Sequence, residues 1–204
     1  MQVAIIKYNA GNVQSVTYAL QRLGITPILT DNEEEIRKAD RVIFPGVGEA
    51  STAMSYLHER KLDQLIPSLQ QPVLGICLGL QLMCSQSEEN NTKCLGIFDL
   101  QVKKFSTETT TVQGVDEVIK IPHMGWNAIS QYKGRLLQGL PDQSFVYYVH
   151  SYYAELGDYT AATTDYVQSF SAVLQRNNFY ATQFHPEKSG ETGSQLLENF
   201  LNLN

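Results

Sequence analysis

Short apolar runs at Val3 to Lys7, Arg41 to Phe44 and Pro72 to Ile76 alternate with stretches of helical periodicity, and that rhythm restricts the fold more than any other feature of the chain. Val13 to Leu23 reads as a helix closed by Gly24, and Thr26 to Leu29 as a further strand. Asp31 is placed to cap a short helix through Lys38, and Glu49 to Leu69 is mostly helical. Strands alternating with helices predict a parallel sheet covered on both faces, with ligands gathering at the carboxyl ends of the strands.

After about Asn90 the pattern changes. Leu100 to Phe105, Glu117 to Ile121, Phe145 to Val149, Tyr159 to Thr164, Ala172 to Arg176 and Phe179 to Gln183 are short, rich in β-formers and separated by turn residues. A last helix is expected over about Gly193 to Leu201. The predicted class is α/β: a largely parallel, flavodoxin-like central sheet flanked by helices, with an additional antiparallel β portion in the C-terminal half. There is no repeat and no long linker, so residues 1–204 are expected to form one domain.

The strand at Pro72 to Ile76 runs into Gly75-Ile76-Cys77-Leu78-Gly79 and then a helix. A cysteine in an apolar run is ordinarily a small buried hydrophobe. Packing has no use for glycine two residues to either side, whereas a sharp strand-to-helix turn does, because it crowds those positions and strains the residue between them. The turn would present the Cys77 thiol at a helix N-terminus and aim the Leu78 amide where an oxyanion would form. Cys77 is therefore the expected nucleophile.

A thiolate nucleophile needs a base with an orienting partner. Phe179 to Phe184 delivers His185-Pro186-Glu187 at a strand end; Pro186 should hold His185 extended, so that Glu187, two residues on, lies beside the imidazole. The other histidines fit less well. His58 lies in a charged helical stretch, His150 at a strand end near a pocket or interface, and His123 in Pro122-His123-Met124-Gly125-Trp126-Asn127, either an exposed recognition loop or part of the core around the single Trp126. Pro45-Gly46-Val47-Gly48 follows a strand end, where glycines let a backbone amide approach a ligand or reverse by a peptide rotation, although a plain turn would look the same.

Composition narrows the classes. With 43% hydrophobic residues the chain can bury a substantial core, and a net charge of −6 without a basic face argues against nucleic acid. Three cysteines with no zinc-ligand spacing predict no metal site; with no secretory leader they predict reduced thiols in the cytoplasm. No apolar stretch reaches the roughly 20 residues that a membrane span needs.

Gly-Ile-Cys-Leu-Gly-Leu-Gln around Cys77, followed far downstream by Gln-Phe-His-Pro-Glu-Lys-Ser around His185, resembles the class I, triad-type glutamine amidotransferases. Tyr8-Asn9-Ala10-Gly11-Asn12, Pro45 to Gly48, Pro122 to Asn127 and Val149-His150-Ser151-Tyr152-Tyr153 are similar, within that group, to the glutaminase subunits of imidazole glycerol phosphate synthase. The resemblance implies a γ-glutamyl thioester on Cys77, with His185 moving protons and Glu187 orienting it, and no cofactor. It implies an oxyanion hole from the backbone of Val47, Gly48 and Leu78 with a flip at Gly46, and L-glutamine held by Gln81, His150, Ser151 and Tyr152. It further implies a heterodimer with a (β/α)₈-barrel cyclase that receives the ammonia, docked on Asn12, Trp126, Tyr147 and Lys188. Glu49-Ala50 departs from the pattern, which has a small residue and an aromatic one there.

Three alternatives stay open on the residues alone. The chain could serve another amidotransferase, such as that of anthranilate or pyridoxal phosphate synthesis. It could be a cysteine hydrolase acting on peptides or γ-glutamyl esters. It could also be a non-catalytic flavodoxin-like module with Asn9-Ala10-Gly11-Asn12 as a weak phosphate loop.

Overall fold

A computed structural model describes residues 1–8, 11–106, 109–112 and 115–203. The first half runs β1 (Val3–Ile6), α1 (Val13–Arg22), β2 (Ile28–Thr30), α2 (Glu33–Lys38), β3 (Arg41–Phe44), α3 (Ala50–Glu59), α4 (Leu62–Ser68), β4 (Val73–Ile76) and α5 (Leu78–Met83). The second half adds β5 (Gln86–Ser87), β6 (Thr92–Lys93), β7 (Gln101–Lys104), β8 (Thr109–Val112), β9 (Val115–Val118), β10 (His123–Ala128), β11 (Phe145–His150) and β12 (Tyr152–Ala154). β13 (Thr160–Asp165), β14 (Ser169–Arg176), β15 (Phe179–Thr182) and α6 (Gly190–Leu201) complete it.

The main sheet has seven strands in the order β13-β14-β15-β4-β3-β1-β2. From β15 to β2 the neighbours are parallel, and β14 and β13 extend the sheet antiparallel. β1, β3 and β4 are apolar at almost every position because both faces are covered. Alternation along the strands then sorts their side chains. Ala4, Ile6, Val42, Phe44 and Val73 pack with residues of α2 to α5, and Val3, Ile5, Ile43, Leu74 and Ile76 with residues of α1 and α6. Both clusters draw on both halves of the chain.

Several local expectations need correction. Asn32, not Asp31, is the N-cap of α2: its side chain accepts from the Glu35 amide at 3.1 Å, while Asp31 accepts from the Tyr56 hydroxyl at 3.0 Å. The helical stretch from Glu49 divides into α3 and α4 because Lys61 is left-handed, with φ of 58°. The strand expected over Glu117 to Ile121 lies earlier, as β9. His123 to Ala128 is not a loop but β10, paired antiparallel with β11. Its Gly and Asn weaken the β signal, and pairing with a distant strand overrides it. β5 and β6 are only two residues each and join β7 and β12 in a small four-stranded sheet. The weak phosphate-loop reading rests partly on Asn9 and Ala10, which lie outside the described residues.

Candidate active site

At the carboxyl end of β4 the chain turns through Cys77, whose φ of 53° and ψ of −106° are strained for a residue with a side chain. The Cys77 amide donates to Thr182 O at 2.8 Å, so the β4–β15 ladder holds the backbone up to the thiol itself. Glycine at the flanking positions has a packing reason. A Cβ at Gly79 would sit 1.9 Å from the Phe44 carbonyl oxygen, and one at Gly75 would lie 2.9 Å from Met83 Sδ. α5 therefore leaves the sheet pressed against the end of β3. Gly79→Ala is expected to cost about 3 kcal/mol or more of folding stability, since a backbone oxygen cannot move aside as a side chain can. Chemical denaturation checks this, and an unchanged midpoint would contradict the account.

β15 runs beside β4, and the residues beyond it bring His185 to the same end of the sheet. The His185 amide donates to Tyr147 O at 2.9 Å, and Ser189 Oγ donates to His185 O at 2.6 Å, pinning the residue to β11 and the start of α6. His185 Nδ1 is 2.7 Å from Glu187 Oε1, with both side chains buried. His185 is extended, as Pro186 requires, but Glu187 does not reach it along an extended chain. Pro186 to Lys188 form a 3₁₀ turn that folds the carboxylate back onto the ring. Burial opposes the charged imidazolium, yet a neighbouring Cys77 thiolate outweighs it with help from Glu187, and the His185 pKa is raised well above the ordinary imidazole value. Nε2 makes no well-directed hydrogen bond to any group among the described residues, which leaves it open toward the sulfur side.

Asn12, expected on the docking face, reaches the catalytic residues. Its half-buried side chain bonds Glu187 Oε1 and lies 3.4 Å from His185 Nδ1, while its left-handed backbone (φ 70°) starts α1 without a side-chain cap. No local pattern reveals this, because the contact spans more than 170 residues.

Cys77 lines a cleft of about 290 Å³, small among ligand sites. Val47, Gly48, Leu78, Gln81, His150, Ser151 and Tyr152 share its wall, so every residue expected at the oxyanion and substrate positions except Gly46 lines this one cleft. Gln81 Nε2 donates to Tyr152 O at 2.8 Å and Gln183 Oε1 at 3.2 Å, which leaves its own Oε1 free to accept. Sequence reasoning missed Glu89, the one acidic side chain in this wall among the described residues. Glu89 Oε2 accepts from the Ala50 amide at 2.7 Å, and burial raises its pKa against that bond. The departure at Glu49-Ala50 meets the same corner: Ala50 is fully buried there, and Glu49 accepts from Thr52 Oγ1 at 2.6 Å.

Gly46 lies just behind the wall. The Leu78 amide donates to the Gly46 carbonyl at 3.3 Å. Because a peptide unit is planar and trans, that inward carbonyl turns the Val47 N–H outward. Tyr8 is a second residue that sequence reasoning missed. Its buried hydroxyl bonds the Pro45 carbonyl and would be 2.1 Å from a Cβ at Gly46, so only glycine passes this point.

A glutamine amidotransferase class-I family model matches residues 4–203. The chain belongs to the class I glutamine amidotransferases. It is 56% identical over 203 residues to the imidazole glycerol phosphate synthase subunit HisH of Bacteroides fragilis (strain YCH46), with all of both chains covered. Identity to the HisH subunit of Yersinia pestis is 43% over 205 residues, again covering both chains completely. A crystal structure of a glutamine amidotransferase is similar with a TM-score of 0.72 at 17% identity, covering 98% of this chain and 96% of that one. A glutamine amidotransferase from Thermotoga maritima gives 0.61 at 15% identity, covering 98% and 82%. These two share the fold.

In this amidotransferase the β10–β11 ribbon turns one face outward. Met124 pairs with Val149, Trp126 with Tyr147 and Ala128 with Phe145. Met124, Trp126 and Phe145 are each more than half exposed. The Trp126 and Tyr147 rings meet edge-on at 6.1 Å, and Lys188 Nζ lies 5.9 Å from the Tyr147 ring. Trp126, Tyr147 and Lys188 thus form one patch, apolar with a cationic edge, beside the turn that carries Glu187. His58, by contrast, is exposed and paired with Asp63 at 2.7 Å. Among the described residues no group of His, Cys, Asp and Glu is arranged to hold a metal, and no helix is long and apolar enough to cross a membrane.

Proposed function

We propose that this chain is the glutaminase subunit of imidazole glycerol phosphate synthase, hydrolysing L-glutamine and passing ammonia to a cyclase in histidine biosynthesis. The observation that carries this reading is full-length similarity, at 41–56% identity, to chains named as that subunit. In the chemistry, Cys77 Sγ attacks the side-chain amide carbon of glutamine. His185 takes the thiol proton and gives it to the leaving nitrogen, so ammonia departs and a γ-glutamyl thioester remains. Water, deprotonated by the same ring, then releases glutamate and the thiol. Glu187 stabilises the imidazolium, and Asn12 holds Glu187 in turn. Glu89 is suited to the substrate's α-ammonium, being the only carboxylate on the cleft wall among the described residues, and Oε1 of Gln81 can accept from the same group.

The oxyanion needs two donors. Leu78 supplies one, and the Val47 amide would supply the other only after the Gly46–Val47 peptide rotates. The Leu78-to-Gly46 hydrogen bond supports a resting state in which both donors are withheld, so that turnover waits for the partner. The partner is a (β/α)₈-barrel cyclase docked on the outward ribbon face around Trp126, Tyr147 and Lys188, and the chain works in the cytoplasm as one domain of a heterodimer. Co-purification with the cyclase, followed by glutamate release with and without its nucleotide substrate, tests the assignment. Glutamate release indifferent to both would remove the synthase while leaving an amidotransferase. Glu89→Gln is expected to raise the KM for glutamine about 10- to 100-fold with a smaller effect on kcat, as loss of a charged hydrogen bond at the ground state requires. An unchanged KM would dismiss Glu89 from substrate binding.

A further inference from the structure

At the cleft wall His150 meets a second buried histidine, His123, and the hydrolytic chemistry uses neither ring to move a proton. His123 and His150 face each other across β10 and β11, with His123 Nδ1 3.0 Å from His150 Nε2. Aromatic rings enclose them: His123 is stacked between Tyr148 at 4.6 Å and Tyr166 at 3.9 Å, and Phe105 and Phe170 close the sides. Two imidazoles in such surroundings cost desolvation that phenylalanine would avoid, so their polarity needs a reason.

The protons can be assigned by elimination. His150 Nδ1 is 2.8 Å from Tyr152 O, which can only accept, so Nδ1 carries the hydrogen and a neutral ring leaves Nε2 as an acceptor. His123 Nδ1 must then be the donor to it, and His123 Nε2 accepts from Asn127 Nδ2 at 3.3 Å. Asn127 cannot turn over, because Nδ2 also donates to Asp165 O at 2.9 Å and Oδ1 accepts the Ala128 amide at 2.8 Å. Every bond therefore points the same way, from β10 to the Tyr152 carbonyl. Burial keeps both rings neutral, pushing His123 down to about 4 and His150 to about 3. The nearby phenols are engaged elsewhere, Tyr148 with Thr164 Oγ1 and Tyr166 with Lys120 O.

The chain continues. Tyr152 O takes its second hydrogen bond from Gln81 Nε2, Gln81 also donates to Gln183 Oε1, and Gln183 Nε2 lies 3.8 Å from Cys77 Sγ. We propose that His123 is a positioning residue. Through His150 it fixes the Tyr152 carbonyl and the Gln81–Gln183 pair around the bound glutamine, and it ties this wall to the strand that carries Met124 and Trp126 on its outer face. The proposal rests on the cleft being the glutamine site. It gives the ribbon a continuous, directional connection to the substrate pocket, separate from the peptide at Gly46.

Asn127→Asp tests the direction of the chain, since a carboxylate of the same shape can only accept and forces a proton onto His123 Nε2. In complex with the cyclase, Asn127→Asp and His123→Phe are expected to raise the KM for glutamine about tenfold with kcat changed less than about threefold. Nitrogen-15 NMR of the unmodified chain should find both rings neutral and protonated at Nδ1 between about pH 6 and 8. An unchanged KM for Asn127→Asp in a folded protein, or an Nε2–H tautomer at either ring, would overturn the relay. If the unmodified complex fails to hydrolyse glutamine, the site reading falls, and the NMR tautomers decide the relay by themselves.

Discussion

Cys77→Ser is expected to reduce glutamine hydrolysis by at least about ten-thousand-fold, with folding and glutamine binding preserved. A serine hydroxyl is nearly the same size as the thiol and fits the same turn, so the β4–β15 ladder and the contact of Gly79 with Phe44 O stay intact. What disappears is the sulfur nucleophile. The raised pKa of His185 depends first on a neighbouring Cys77 thiolate, and a serine at this position does not ionise within the reach of an imidazole base. The γ-glutamyl adduct seen by mass spectrometry after quenching a reaction should vanish with the activity. Hydrolysis within about tenfold of the parent would mean that another group performs the attack.

Val47→Pro should separate the resting and activated enzymes. Proline lacks the N–H that would complete the oxyanion hole after the Gly46–Val47 peptide rotates, and losing one such donor costs about 100- to 1,000-fold in other hydrolases. Basal turnover of the free subunit, which proceeds with the Gly46 carbonyl still turned inward and no Val47 donor in place, should change less than about threefold. Gly46 is the less suitable site for this test, because any side chain there meets the Tyr8 hydroxyl. Glutaminase assays with and without cyclase and its nucleotide check the prediction. An equal fall in both states would argue that no peptide rotation separates them.

Much of the site is legible in the sequence because its chemistry is encoded locally. The turn at Gly75 to Gly79 and the His185-Pro186-Glu187 segment each reveal themselves within a few residues, since backbone strain and glycine crowding are short-range effects. The geometry within the second segment is legible only in part: a 3₁₀ turn, not an extended strand, returns the carboxylate to the ring. The strand at β10 is not legible, because its stability comes from pairing with β11 across an intervening stretch of chain.

The linear order of residues thus determined the alternating architecture, the displayed thiol and its imidazole partner, because periodicity and turn sterics act between near neighbours. Folding in three dimensions alone decided that Asn12 braces Glu187, that Tyr8 confines Gly46, that Glu89 enters the cleft and that two histidines share one proton direction. Each of these joins segments far apart in the chain, and hydrogen bonds across such separations leave no periodic mark on the sequence.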